Sequence, residues 1–263
     1  SDGYTLGNGS INENSRTYAS WNWKANGAGS ANTDGSIAST VSANTTSGFS
    51  IVSYTGTGSL ATVGHGGGVA PAMIIIKNRS TTNGWEVYHQ SLGNTKYMQL
   101  HTTSAEGTSA TRWNNTSPTS TVFTVNTEGG VNSSGGNLIA YCFSEVKGYS
   151  KFSSYTGNGN ADGTFVYTGF KPAFVMLKNT TTSASWLMYD NKRLGYNVDN
   201  NELVANTSAA EETYDQIDIL SNGFKMRANG TSTNKSGDTF IYMAFAEAPL
   251  VGGTGAGVPC TAR

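Results

Sequence analysis

Charge is scarce in this chain. Asp, Glu, Lys and Arg make up 13% of its 263 residues, and the formal net charge is −1. Such a balance supplies no basic stripe for a phosphate backbone or an anionic bilayer, so neither nucleic acid nor membrane insertion is expected. Long apolar runs are also missing. The longest centres on Met73 to Ile76, far below the roughly 20 residues a helix needs to cross a bilayer. No basic stretch followed by an apolar one opens the chain as a secretion signal would; Ser1 stands first, without Met, as in a processed product. Cysteine is limited to Cys142 and Cys260, too few for a disulfide framework, and Cys142 reads as a small buried thiol.

The motifs of common chemistries are lacking too. There is no G-x-S-x-G elbow, no HExxH and no Walker loop. His65, His89 and His101 have no partners at metal-ligand spacing. The run Asn158-Gly159-Asn160-Ala161-Asp162-Gly163 has the alternating oxygens of a calcium loop, but Gly169 stands where such a loop needs its bidentate glutamate, so it reads as a turn. Gly64-His65-Gly66-Gly67-Gly68 leads into a strand, leaving no helix N-terminus to hold a phosphate. Carboxylates are scattered, apart from Glu211-Glu212 and the Asp215/Asp218 pair. No catalytic residue, metal or cofactor is expected, and the chain reads as something other than an enzyme.

What is present is Gly, Ser, Thr and Asn in abundance, with aromatics at 11%. The small polar residues compete with helical hydrogen bonding and favour turns, while Tyr, Phe, Trp, Val, Ile and Thr suit a pleated surface. The fold class is therefore all-β.

The organising stretch is Pro71-Ala72-Met73-Ile74-Ile75-Ile76-Lys77-Asn78, which returns as Pro172-Ala173-Phe174-Val175-Met176-Leu177-Lys178-Asn179. A leading Pro, five apolar residues and a Lys-Asn stop describe a strand buried on both faces, with Pro at its first position where no ladder donor is needed. The same offset relates Trp85 and Tyr88 to Trp186 and Tyr189, and Phe123 to Phe224. Two copies of one domain follow. We expect tandem antiparallel β-sandwich repeats of jelly-roll type at residues 48–147 and 148–248, packed end to end because Glu145 to Tyr149 is too short a joint to flex.

Residues 1–25 form a third copy of the closing hairpin of the repeat. Gly3-Tyr4-Thr5-Leu6 and Tyr18-Ala19-Ser20-Trp21-Asn22-Trp23 align with Phe123-Thr124-Val125 and Leu138 to Phe143, and with Phe224-Lys225-Met226 and Phe240 to Phe245. Either this partial repeat ends a preceding domain, or it pairs with the sheet of repeat 1 or of a neighbouring subunit. An isolated hairpin is marginal, so docking is expected. Residues 26–47 read as a linker or extended edge segment, and 249–263 as a Gly-rich tail.

The copies diverge most between Ser91 and Ser120 and between Leu194 and Leu220, where function is to be sought. Trp113 lies in the first of these and has no Trp counterpart in repeat 2. With Tyr97, His101, Arg112 and Asn114 it makes a candidate aromatic platform for a sugar ring; the competing reading has Trp113 covering its own loop or a subunit interface.

Gly48-Phe49-Ser50-Ile51-Val52-Ser53-Tyr54-Thr55-Gly56, Val69-Ala70-Pro71-Ala72-Met73-Ile74-Ile75-Ile76-Lys77-Asn78-Arg79 and Phe165-Val166-Tyr167-Thr168-Gly169-Phe170-Lys171-Pro172-Ala173-Phe174-Val175 resemble a repeat domain of tailed, often marine, bacteriophages, found in large virion proteins of the tail-fibre or appendage type. The end of the chain resembles the natural C-terminus of such proteins. The resemblance carries no catalytic motif. It implies a non-enzymatic virion structural protein, the C-terminal part of a fibre or appendage, extracellular on the virion surface and adhering to host-surface glycan. It further implies a homo-oligomer, with a trimer the expected state of a fibre, in contact with other virion proteins. A purely architectural protein without ligand and a polysaccharide depolymerase are the alternatives.

Overall fold

The computed structural model describes residues 4–7, 9–193, 197 and 200–247. The chain is nearly all β, in several antiparallel sheets with no barrel. Repeat 1 carries β1 (Ser30–Asn32), β2 (Ser39–Asn44), β3 (Phe49–Thr55), β4 (Ala61–Gly64), β5 (Met73–Asn78), β6 (Trp85–His89), β7 (Lys96–Gln99), β8 (Gly107–Thr108), β9 (Val122–Val125) and β10 (Asn137–Phe143), with one-turn helices α1 (Ala110–Trp113) and α2 (Gly129–Asn132). Repeat 2 carries β11 (Ser150–Thr156), β12 (Phe165–Tyr167), β13 (Pro172–Asn179), β14 (Trp186–Asp190), β15 (Asn200–Val204), β16 (Glu212–Tyr214), β17 (Ile217–Leu220), β18 (Gly223–Met226) and β19 (Thr239–Ala246).

Each repeat places a large sheet against a small one. The large sheets run β1-β2-β3-β10-β5-β6-β7-β8 and β11-β19-β13-β14-β15-β16; the small ones are β4-β9 and β12-β18-β17. Strand alternation then sorts the side chains. Ile74, Ile76, Leu138, Ala140 and Cys142 point to the small sheet of repeat 1 and meet Phe123 and Val125. Val175, Leu177, Phe240, Tyr242 and Ala244 do the same in repeat 2 around Phe224 and Met226. The alternate residues Met73, Ile75, Phe143, Phe174, Met176, Met243 and Phe245 form a third core between the two large sheets. The central strands of both large sheets are therefore buried on both faces, which is why the Pro-led strands β5 and β13 are apolar throughout rather than alternating.

Polar groups fasten the seam. Trp186 Nε1 donates to Gln99 O at 3.0 Å, and Lys178 Nζ to Thr103 O at 3.1 Å. Burial lowers the Lys178 pKa to about 8. Strand β11 is a sheet edge, and its exposed backbone is covered at Phe152: the N–H is accepted by Glu145 Oε2 at 3.3 Å, and the O accepts from Gln90 Nε2 at 2.6 Å. Side-chain capping of this kind protects an edge strand from further pairing.

The repeats pack large-sheet face to large-sheet face rather than end to end. Neither closes in a hairpin: β9 pairs with β4 while β10 lies between β3 and β5, and β18 pairs with β12 and β17 while β19 lies between β11 and β13. Of the two readings of residues 26–47, the extended edge segment holds within 30–44: β1 and β2 end the large sheet of repeat 1, β2 pairs with β3 along its whole length, anchored by the buried Val41, and Ile37 bridges to Val63. Residues 4–25 hold the expected hairpin sequence but form no strand among the described residues, because neither flanking strand of a repeat lies beside them. The Asn158–Gly163 run is the turn expected of it: Asn158 Oδ1 accepts from Asn160 N, Asn160 Oδ1 from Asp162 N, and Asp162 pairs with Lys225. The expected tail at 249–263 lies outside the described residues.

Candidate functional site

Of the two readings of Trp113, the structure bears out the one in which it covers its own loop, and the candidate sugar platform is not an open surface. Trp113 is 2% exposed and packs edge-on against Tyr88 at 5.9 Å, its Nε1 donating to Lys96 O at 3.1 Å. Helix α1 turns it inward. Ser109 caps the helix by accepting from Thr111 N, and Asn114 ends it in the left-handed region at φ 50°, a conformation asparagine tolerates. Arg112 is buried as well. Its guanidinium lies 3.4 Å from the centre of the Tyr97 ring, and its Nε donates to Glu86 Oε2 at 2.6 Å. Asn114 accepts from Asn126 Nδ2 at 3.3 Å. His101 is separate from this group: its Nδ1 accepts from Trp85 N, and it lines a shallow depression with Leu100 and, from repeat 2, Ala205 and Asn206. Arg112 and Trp113 are thus interior, with Tyr97 and Asn114 half-buried beside them.

Repeat 2 solves the same core position differently. Tyr189, the counterpart of Tyr88, has no Trp over it and instead hydrogen-bonds Glu202. Burial, the largest cause, pushes the Tyr189 pKa well above its ordinary value. Divergence between copies marks this exchange of packing solutions, not a binding surface.

The accessible concave site lies at the other end of the shared core. There the N-terminal segment docks two aromatic side chains. Trp23 meets Phe143 at 5.9 Å and Phe245 at 5.3 Å, and these two meet each other at 6.0 Å. Trp23, Phe143 and Phe245 occupy the same position in the three copies of the closing segment. Their rings form a near-equilateral triangle, with edge-on and tilted contacts of the kind aromatic quadrupoles favour. Trp21 packs on Phe174 at 5.4 Å and donates through Nε1 to Asp190 Oδ2 at 3.2 Å.

Between residues 18–23 and the large sheet of repeat 2 runs a cleft of about 490 Å³, lined among others by Trp21, Tyr149, Phe174, Asp190, Lys192 and Arg193. Arg193 holds Asp190 at 2.7 Å and Glu211 at 2.6 Å. Burial raises the Asp190 pKa, but hydrogen bonds from the backbone of Lys192 and Arg193 and from the Arg193 guanidinium outweigh it, leaving the carboxyl below its ordinary value. Asp190 is therefore a fixed anion and acceptor, not a proton donor. It is the one carboxylate among the described lining residues. Among the described residues no cluster of three or more His, Cys, Asp or Glu could hold a metal ion, and no helix is long and apolar enough to cross a membrane.

Sequence reasoning passed over Asp190, Arg193 and Trp21 because nothing local links them; the signal available was that Trp21 and Trp23 share the alternation of Tyr141 and Phe143. A family model described as a domain of unknown function (DUF7483) matches residues 1–249. No curated protein and no solved structure matches the chain.

Proposed function

The chain belongs to the DUF7483 family, whose function is unknown; on the grounds of its sequence and its core we propose that it is a non-enzymatic structural protein of a virion, a module of a fibre or appendage on the outside of the particle. The observation that carries this reading is the continuous core between the repeats. Fourteen buried hydrophobic residues drawn from both large sheets make it up, so the two sandwiches are joined as one stiff body rather than strung on a linker. The resemblance to tailed-phage virion repeats, the low charge and the wealth of Ser, Thr and Asn support the same assignment. The test is an antiserum raised against the purified chain and applied to purified particles under the electron microscope. Labelling of an external appendage is expected; absence of the protein from particles overturns the reading.

A second reading, adhesion to host-surface glycan, is favoured by the cleft. The Trp21 and Tyr149 rings line it for a sugar to pack on, Asp190 and Arg193 offer fixed polar groups beside them, and Lys192 adds an exposed ammonium. Host-cell binding by the purified chain that falls in Lys192→Ala supports it. Equal binding by the two proteins, or none by either, removes it.

A further inference from the structure

The tryptophans that lead β6 and β14 are equivalent in sequence and unequal in surroundings. Trp186 is 1% exposed. Residues 99–103 of repeat 1 close against it: its Nε1 donates to Gln99 O at 3.0 Å, and beside it Thr103 O accepts from Ala184 N at 2.8 Å and from Lys178 Nζ at 3.1 Å. Trp85 is half-buried, packed against the shared core and stacked on Tyr141 at 6.3 Å. Nothing closes against it in the same way. Lys77, the counterpart of Lys178, donates to Asn83 O within its own repeat, and among the described residues Trp85 Nε1 has no hydrogen-bond partner.

Beside Trp85 lies instead a depression of about 450 Å³, lined by Trp85, Leu100 and His101 from repeat 1 and by residues 205–208 from repeat 2. Its size falls within the roughly 300–1,000 Å³ of small-molecule sites. The strand registers make its two walls equivalent. Leu100 N donates to Trp85 O as Ala205 N does to Trp186 O, each at 3.0 Å, and the next residue accepts from the Trp backbone N–H, His101 through Nδ1 at 3.1 Å and Asn206 through Oδ1 at 2.7 Å. Both side chains are thereby held in one orientation with a donor left over. In His101 it is Nε2, which carries the proton; the ring takes the space of a side chain at Gly84, where an added Cβ would fall 1.7 Å from Cε1. In Asn206 it is Nδ2, whose one contact is a long 3.4 Å to Ser185 Oγ. No carboxylate or ammonium stands among the described lining residues. An indole, two aliphatic side chains and three N–H donors suit a neutral ligand with one apolar face and several oxygen acceptors. Strand β6 is paired on both sides, with β5 and β7, so no open edge adjoins the depression to hold a peptide main chain.

We propose that the Trp85 depression is a binding site for a neutral saccharide that carries an N-acetyl group. The amide oxygen of that group takes at Trp85 Nε1 the place that Gln99 O holds at Trp186 Nε1. Its methyl rests against Leu100 and Ala205, and the ring hydroxyls meet His101 Nε2, Asn206 Nδ2 and the hydroxyls of Thr207 and Ser208. The site is separate from the cleft beside residues 18–23. It stands on the comparison of the two tryptophans and is independent of the virion reading and of adhesion through that cleft.

The test titrates N-acetylglucosamine into the isotope-labelled full chain and follows the indole N–H resonances by NMR. A saturable shift of the Trp85 indole is expected, with the Trp186 indole unmoved. Trp85→Phe keeps a ring beside Tyr141 and removes the N–H. It should weaken binding by roughly three- to tenfold, the worth of one neutral hydrogen bond, read from the Leu100 and Ala205 amides. His101→Asn keeps the backbone cap in the form that repeat 2 uses and withdraws the imidazole donor, so it should weaken binding by a similar factor while melting close to the parent. The absence of a saturable shift at Trp85 overturns the proposal, as does unchanged affinity in either folded variant. A shift at the Trp21 indole in its place puts the sugar in the cleft and overturns it too. Glucose binding as tightly removes the acetamido contact, and N-methylacetamide binding as tightly removes the sugar; either result overturns the assignment.

Discussion

Arg112 and Glu86 form an ion pair inside repeat 1, with Nε 2.6 Å from Oε2 and the two side chains 9% and 3% exposed. Gln99 Nε2 also donates to Glu86 Oε1 at 2.9 Å, so the carboxylate is satisfied only while both neighbours stay. Arg112→Ala strands a charge in the interior. The expected loss is about 3–5 kcal/mol, read as a lowered midpoint in urea. The pair Arg112→Leu with Glu86→Leu, which removes both charges, should lose clearly less than the single variant.

Trp113→Ala opens a cavity under Tyr88 and abandons the bond to Lys96 O. Truncating a buried Trp costs about 3–5 kcal/mol, so the thermal midpoint falls by roughly 2–4 °C for each kcal/mol lost at this chain size. Any host-cell binding by folded Trp113→Ala should equal that of the parent. A selective loss of binding at unchanged stability would restore the sugar-platform reading of this residue.

The contrast between Trp113 and Trp23 shows what could be read before any coordinates. Buried strands announce themselves, because Met73 to Ile76 and Phe174 to Leu177 are apolar on both faces and return at one offset. The all-β sandwich architecture was legible for that reason. For Trp113 two readings stood open, since a four-residue helix has no periodicity to show which face is inward and its lack of a counterpart mimics a functional insertion; the structure bears out the one in which it covers its own loop. The equivalence of Trp23, Phe143 and Phe245 was visible in the alignment of the closing segments. Their meeting in space was not, because a repeat fixes what is equivalent and leaves open how the copies are rotated about one another. The cleft residues Asp190 and Arg193 come together with Trp21 only through that rotation.

His89 makes the seam sensitive to acid. It is 1% exposed; its Nδ1 accepts from Ser91 N at 3.2 Å, which leaves Nε2 to carry the proton and donate to Tyr242 O. Burial, the larger effect, lowers its pKa to about 4, against a smaller opposing push from the Tyr242 bond. The unfolded chain, with an ordinary value of 6.5, therefore binds the proton first. The contribution of neutral His89 to stability is intact above pH 6.5 and drains away as pH falls towards 4. At roughly 1.4 kcal/mol for each pKa unit, the full effect is on the order of 3 kcal/mol. Urea midpoints taken across this range should fall less steeply for His89→Gln than for the parent; identical slopes would mean that His89 does not set the acid response.

Trp23 touches both repeats from outside them, lying 5.9 Å from Phe143, 5.6 Å from Phe174 and 5.3 Å from Phe245. It is only partly buried, packed against the core between the large sheets, so truncation removes less than for an enclosed Trp. Trp23→Ala should cost about 2–3 kcal/mol, and the loss should appear first in the seam. Amides of the Glu145–Tyr149 joint, such as Tyr149 N on Val146 O, are expected to exchange faster, while those of β5 and β13 hold. Trp23→Phe supplies the residue that repeats 1 and 2 use at the same position. It should recover most of the stability, within about 1.5 kcal/mol of the parent as volume-conserving exchanges do. If Trp23→Ala melts with the parent, the ring is a passenger and the triangle does not bind the N-terminal segment to the repeats. If alanine destabilises and phenylalanine does not recover, the site depends on the indole itself, and the equivalence of the three positions is one of sequence and not of packing.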